Sequence, residues 1–334
     1  MGSTKRNLIR VFGAFLCVWA LILSLGVTAR WAEKVQFRHA WIWQPNISPY
    51  WAAIKKGYFK EEGLDVNFVE GKGSAHAIQL TAANQADVGV ADLGAAAFAI
   101  SRNVPVKAIL CGLQTGPQGV VSRKDAGIKS PKDLEGKRLG FAPGDSAWIL
   151  FPAFTSANGV EAARVTTVGA EPASLPKALL AKNVDAILTY FTSVPEFSDR
   201  GGIPLTYLRY ADHKVNLLGL GLVAHTETIS ERPEMLRRFV RASQKGFAFA
   251  LKNPGETIDI LMQVAPLTVK KKDIAMQNLK LSLGLLHTER SKGKPIGWMA
   301  RGDWEQTIQL LAKYRKLKAL PVDQYYTNEF ISKN

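Results

Sequence analysis

The sequence predicts an α/β protein made of two successive strand–helix blocks followed by a set of C-terminal helices. Short apolar runs alternate with amphipathic stretches from about residue 35 onward, which favours parallel strands with helices on the sheet faces. The same alternation restarts after Gly116-Pro117. The chain has 334 residues, about 305 without its first 29, which is the length of two ordinary domains or one bilobed unit.

Residues 35–41 read as the first strand, and Ser48-Pro49 supplies a cap and a first-turn proline for a helix to about Lys56. Gly57 and Gly63 are stop signals, and 64–69 returns as a strand. Ser74 offers a cap for a helix through Ala83. A short apolar strand at 87–91, a helix through Ile100 and a strand at 106–113 follow. In the second block Ser130-Pro131 opens a brief helical turn. Strands are expected there at 137–141, 164–168 and 185–189, with helices at 145–158 and 175–182. A strand-like run at 215–224 leads to helices at 233–252, 255–262, 271–285 and 303–318. Pro152 lies inside the 145–158 helix, where it removes a hydrogen bond and crowds the preceding turn, so that helix starts late or kinks.

Lys5, Arg6 and Arg10 precede an apolar run over 11–25, and Val27 and Ala29 place small residues before a cleavage site. This reads as a signal peptide over 1–29 that carries the rest of the chain out of the cytoplasm. An uncleaved anchor is the alternative, although the run is shorter than the roughly 20 residues of a membrane span. Cys17 sits inside the run behind Phe15-Leu16, which does not suit a lipid-modified cysteine. Cys111 is then the one remaining thiol, too few for an internal disulfide or a multi-cysteine metal site, and its apolar surroundings mark it as core filler. The formal charge of +15 falls by three, to +12, without the basic residues of 1–29, a segment that holds no acid. The remaining basic residues are dispersed over helix faces, which argues against nucleic acid and favours weak attraction to anionic surfaces or solutes.

Chemistry-bearing motifs are few. His39, His76, His213, His225 and His287 form no metal-ligand spacing with one another or with Cys or carboxylates. Gly219 and Gly221 open a formal match to the dinucleotide fingerprint, but they lie within an apolar run instead of between a strand and a helix. No nucleophile elbow or Ser/His/Asp set can be assembled. No catalytic residue, metal or cofactor is expected. The informative segment is WIWQPNISPYW at 41–51, where strand end, loop and helix start coincide with four large aromatics and two amides. Aromatic faces stack on planar ligands and amides orient them. Trp41 and Trp51 suit the core, whereas Trp43 and Tyr50 stand equally for core or ligand.

Beginning at Tyr50, the stretch 50–66 (YWAAIKKGYFKEEGLDV) resembles the opening of the nitrate/sulfonate/taurine and thiamine-pyrimidine-precursor (NMT1/THI5-like) group of ABC transporter solute-binding proteins. ADVGVAD at 86–92, GIKSPKDLEGKRLG at 127–140 and Val184-Asp185-Ala186 follow in the family's order. The resemblance implies a type II periplasmic-binding-protein fold of two lobes, each a mixed sheet flanked by helices, joined by two hinge strands. Lobe 1 would be 30–115 and 219–334, and lobe 2 would be 116–218. The implied role is capture of a small molecule between the lobes for a permease of the cytoplasmic membrane, by a monomer without cofactor.

Carried over by position, lobe 1 would bind ligand through Trp43, Gln44, Asn46, Tyr50, Ser74, Ala75, Asp92, Leu93 and Gly94. Lobe 2 would use Asp145, Ser146, Trp148, Tyr190 and Phe191. Anion binders of the group often carry a Ser-Ser-type helix start where this chain has Asp145-Ser146, and a carboxylate there would repel a sulfonate or nitrate. The aromatic count and Asp92 point the same way, toward a planar, pyrimidine-like compound, with a sulfonate, taurine or nitrate anion as the alternative. A pyrimidine-precursor synthase is the alternative of another class. Those enzymes carry a cysteine-rich segment, which this chain lacks.

Overall fold

The computed structural model describes residues 32–332, so the signal peptide expected at 1–29 lies outside the described residues. The first block runs β1 (Glu33–Arg38), α1 (Ser48–Lys55), α2 (Tyr58–Glu61), β2 (Leu64–Val69), α3 (Ser74–Ala82), β3 (Val88–Asp92), α4 (Leu93–Ile100) and β4 (Val106–Cys111). The second runs β5 (Gln118–Arg123), β6 (Arg138–Phe141), α5 (Ser146–Ala157), β7 (Thr166–Gly169), α6 (Leu175–Leu180), β8 (Ala186–Tyr190), α7 (Val194–Gly201) and β9 (Leu205–Arg209). The chain returns through β10 (Leu220–His225) and ends in α8 (Thr226–Glu231), α9 (Pro233–Lys252), α10 (Pro254–Val264), α11 (Lys272–Leu283) and α12 (Arg301–Arg315).

Among the described residues the strands form two five-stranded sheets, ordered β2-β1-β3-β10-β4 and β7-β6-β8-β5-β9. Both are mixed, where strand–helix alternation alone favours parallel sheets. Each sheet takes in one strand as the chain crosses between lobes, and that strand runs against its neighbours. β10 is antiparallel to β3 and β4, and β5 is antiparallel to β8 and β9. β3 is buried at all its positions and sits mid-sheet, while the exposed pattern of β7 marks an edge. Gly221 in β10 is required by packing: a Cβ there would lie 2.4 Å from the Leu110 carbonyl oxygen and 2.8 Å from Leu93. Its place inside a strand accords with rejecting the dinucleotide fingerprint.

The two crossings, 112–117 and 210–219, are paired by hydrogen bonds. The Leu113 N–H donates to the Leu220 carbonyl at 2.8 Å, Gly219 N–H to Leu113 at 3.0 Å and Gly116 N–H to Leu217 at 2.8 Å. Residues 215–219 therefore belong to the crossing, and the expected strand at 215–224 shortens to β10. The helix at 145–158 starts where expected, and α5 carries Pro152 inside it. β5, α7 and β9 are elements the sequence reading did not assign.

Among the described residues, three apolar clusters form the core. One, with Phe37, Ile109, Leu222 and Phe239, fills lobe 1. A smaller one, with Val121, Leu179 and Ile187, backs the second sheet. The third joins the lobes through Leu93, Phe154, Tyr210 and Trp304. α12 packs on both α4 and α5, so the C-terminal helix braces the two lobes from the crossing side.

Candidate functional site between the lobes

The site is built from strand ends and helix starts, where an α/β sheet leaves backbone groups free to meet a ligand. In lobe 1 the chain leaving β1 bends over 40–42. The His39 N–H donates to Val69 at 2.8 Å, and the Gly71 N–H donates to Trp41 at 3.1 Å. The Trp43 N–H is then caught by the Glu70 carboxylate, and a 3-10 turn at Pro45–Ile47 enters α1. From lobe 2 come Gln118 at the start of β5, Asp145-Ser146 at the start of α5, and Thr189-Tyr190 at the end of β8.

A polar network crosses the interface at its floor. Ser74 is the first residue of α3, not its cap, and its hydroxyl accepts the Asp92 N–H at 3.1 Å. Asp92 caps α4 by accepting the Ala95 N–H at 3.0 Å, and its other oxygen accepts from the Gln118 amide of lobe 2. The same Gln118 nitrogen lies 3.2 Å from Ser146 Oγ, which is 3.2 Å from the Tyr190 hydroxyl and 3.5 Å from Asp145 Oδ1. Burial pushes both carboxyls up to about 7, with the charge of Asp92 adding to the effect on Asp145. Hydrogen bonds from Ala95 and Gln118 pull Asp92 the other way, as the Ala147 and Ser146 amides do for Asp145. A carboxyl with so high a pKa repels an anion less than the sequence argument assumed.

The lobes also meet backbone to backbone. The Ala75 N–H donates to the Gly144 carbonyl at 3.1 Å. Gly73, at φ +117°, has no room for a Cβ, which would lie 2.5 Å from Gly144. These two glycines are the condition for so close an approach.

Two adjoining cavities lie beside this contact. The inner one, bounded by His39, Gln44, Asn46, Ser74, Asp145 and Tyr190, has a volume of about 10 Å³, the room of one water. The outer one, about 530 Å³, lies between Trp41, Pro172, Pro176, Phe197, Leu267 and Asn278. Trp41, Gln44 and Thr189 border both. At the outer rim Lys271 pairs with Asp199 of the other lobe at 2.7 Å, and Arg200 pairs with Glu196.

The sequence-predicted residues fall into groups. Gln44, Asn46, Ser74, Asp145 and Tyr190 border the inner cavity. Asp92 and Ser146 stand one hydrogen bond behind it, and Ala75 contributes its N–H to the interlobe contact. Tyr50 is 3 % exposed and packs edge-on against Phe37 and Phe247 in the lobe 1 core. Trp43 packs against His39, Trp51 and Phe68, behind the cavity wall. Trp148 stacks on Phe141 at 3.8 Å, away from both cavities. Leu93 is core, and its N–H donates to Gly219. Gly94 is buried beside Leu217 and Leu150. Phe191 is buried under Arg209, whose guanidinium stands 4.5 Å from the ring centre.

Trp41 is the aromatic that sequence reasoning misplaced. It leaves lobe 1 and packs on the lobe 2 cluster of Leu175, Ile187 and Phe197. Tyr190 and Phe191 make the reverse trade, packing on the lobe 1 cluster. His39, Gln118, Thr189 and Asn278 were also missed as site residues. A strand-end position was the available signal for His39 and Thr189; Gln118 and Asn278 gave none.

The family model described as NMT1/THI5 like matches residues 44–257. The chain belongs to this family. It is 29% identical to the riboflavin-binding protein RibY of Chloroflexus aurantiacus, over 86% of this chain and 83% of that one. It is 27% identical to a formylaminopyrimidine-binding protein of Halalkalibacterium halodurans, over 80% and 82%. A 4-amino-5-hydroxymethyl-2-methylpyrimidine phosphate synthase of Aspergillus parasiticus matches at 25% over 70% and 72%. Among solved structures, a protein of Bordetella bronchiseptica superposes with a TM-score of 0.75 at 21% identity, over 89% of this chain and 95% of that one. The alkanesulfonate-binding protein SsuA of Xanthomonas axonopodis gives 0.67 at 14%, over 88% and 98%. The fold is the type II periplasmic-binding-protein fold.

Proposed function

We propose that this NMT1/THI5-like protein is the extracytoplasmic solute-binding component of an ABC importer and that it captures a planar, pyrimidine-like organic molecule between its lobes. The observation that carries the reading is a pair of adjoining cavities walled by both lobes, with Trp41 bordering each. The outer volume of about 530 Å³ falls within the range of small-molecule sites, roughly 300–1,000 Å³. The inner one admits no organic molecule as it stands, so ligand enters before the lobes close to this extent. The riboflavin-binding and formylaminopyrimidine-binding relatives, both named for planar nitrogen heterocycles, support the ligand class.

In this reading lobe 1 comprises 30–115 and 219–334, lobe 2 comprises 116–218, and the paired crossings serve as the hinge. Ligand contacts to both lobes stabilise the closed form, which a membrane permease reads. The protein is exported by its N-terminal signal, acts as a monomer and is not an enzyme. Cys111, buried in lobe 1, offers no counterpart to the synthases' cysteine-rich segment.

The test is a thermal-shift and tryptophan-fluorescence screen of purified protein against flavins, aminopyrimidines, taurine and nitrate. A heterocycle should raise the melting temperature and quench fluorescence, and Trp41→Ala should weaken its binding at least about tenfold. Tight binding of taurine or nitrate without any heterocycle would replace the ligand class with an anion. Turnover of a pyrimidine precursor would make the protein an enzyme.

A further inference from the structure

The space between the lobes collects buried polar atoms that the fold leaves unused. Among the described residues, neither ring nitrogen of His39, neither amide atom of Asn278, nor the Asn46 Oδ1 has a hydrogen-bond partner. These residues are 1 %, 2 % and 8 % exposed. Buried polar groups are nearly always paired, and an unpaired one costs stability. His39 and Asn46 border the inner cavity and Asn278 the outer one. The 3-10 turn carrying Asn46 packs on α11, the helix that carries Asn278. The His39 ring is held by packing alone: Trp43 lies parallel to it, with ring centres 5.9 Å apart and planes 6° apart, and Phe68 lies at 6.0 Å.

We propose that His39, Asn46 and Asn278 are the lobe 1 edge that reads the ligand, and that the ligand is an uncharged heterocycle presenting a hydrogen-bond donor beside an acceptor. This deepens, and rests on, the interlobe binding reading above. A neutral imidazole offers one donor and one acceptor, and each carboxamide offers both kinds. Burial keeps the imidazole neutral, with its pKa held down to about 3. The matching ligand edge is an amidine, with an amino group beside a ring nitrogen, or a lactam, with N–H beside C=O. A sulfonate carries acceptors alone and would leave the imidazole acceptor nitrogen and the Asn46 carbonyl unpaired beside Asp145.

Calorimetry on the full chain separates the possibilities with three probes. These are 4-amino-5-hydroxymethyl-2-methylpyrimidine for the amidine edge, riboflavin for the lactam edge, and methanesulfonate for acceptors alone. Wild type should bind a heterocycle and not methanesulfonate. His39→Phe keeps a ring against Trp43 and removes both nitrogens. It should bind about 10- to 100-fold more weakly, with an unchanged or higher melting temperature. His39→Gln returns a donor and an acceptor and should recover binding to within about tenfold of wild type. Undiminished heterocycle binding by His39→Phe overturns this proposal and leaves the interlobe reading standing. Binding of methanesulfonate alone, or of no probe, overturns the heterocycle reading and this proposal with it. Should His39→Phe fail to fold, nitrogen NMR of the wild-type imidazole decides: shifts on saturation support the role, and unmoved signals overturn it.

Discussion

β1 and β3 lie side by side in the first sheet, and the chain at the end of each delivers a fully buried polar side chain to the interlobe space. The two are treated in opposite ways. Asp92, at the end of β3, is bonded to Ala95 and Gln118, and its own N–H is taken by Ser74. His39, just past β1, has no side-chain hydrogen bond among the described residues. The difference separates scaffold from recognition. A group whose bonds are all made within the protein positions elements, whereas a group buried at the same depth with its bonds unmade waits for a partner from outside.

The largest test of that contrast is Asp92→Ala. It removes the α4 cap and leaves the Gln118 amide without its carboxylate, so urea unfolding should show a loss of about 3 kcal/mol. His39→Phe should lose almost nothing, and equal losses at the two positions would dissolve the distinction.

The two groups should also respond to pH with opposite signs. The Asp92 carboxyl, raised to about 7 from 3.8, contributes stability present below about 3.8 and lost as pH rises through 7. His39, lowered to about 3 from 6.5, contributes stability present above about 6.5 and lost as pH falls toward 3. Wild type should therefore lose on the order of 2 kcal/mol relative to Asp92→Asn between pH 4 and pH 7, and should gain relative to His39→Phe over a similar window. Melting curves of the three proteins against pH check this, and slopes of one sign would contradict it.

The smallest effect sharpens the scaffold side. Ser74→Ala removes the acceptor of the Asp92 N–H and should cost about 1 kcal/mol, read as a drop in urea midpoint at unchanged slope.

Much of the fold was legible in the sequence because its signals are local. In the 127–140 motif, Gly127 and Gly136 take positive φ, Asp133 accepts the Ser130 N–H at 2.8 Å, and Leu134 is fully buried. Each of those choices is written within a few residues of where it acts. β5 escaped because it is a buried strand that does not look apolar. Gln118, Ser122 and Arg123 occupy it, and Gln118 and Arg123 are satisfied by partners far along the chain. Gln118 donates to Asp92, and Arg123 donates to the Leu179 and Val184 carbonyls at 2.8 and 2.9 Å.

The candidate site was legible in its loops and not in its orientation. The sequence places WIWQPN at a strand end, but which tryptophan turns outward depends on the partner lobe. Trp41 finds its cover on Leu175, Ile187 and Phe197, more than 130 residues away, while Trp43 finds Phe68 and Trp51 nearby. Asn278 lay beyond reach for the same reason, since nothing around it in α11 distinguishes a helix facing a cavity from one facing a core.

The paired crossings 112–117 and 210–219 also set a lever. Leu220, adjoining them, touches the inner cavity, while the Lys271–Asp199 pair stands at the outer rim. A rotation about the crossings would carry the rim through a longer arc than the floor. For springs of equal strength, resistance to turning grows as the square of the arm, so a rim contact opposes angular play more than a floor contact does. In the hinge proposed above, an exposed ion pair that is weak as a bond would therefore limit how far the lobes swing, while the bonds beside the axis would set where they come to rest.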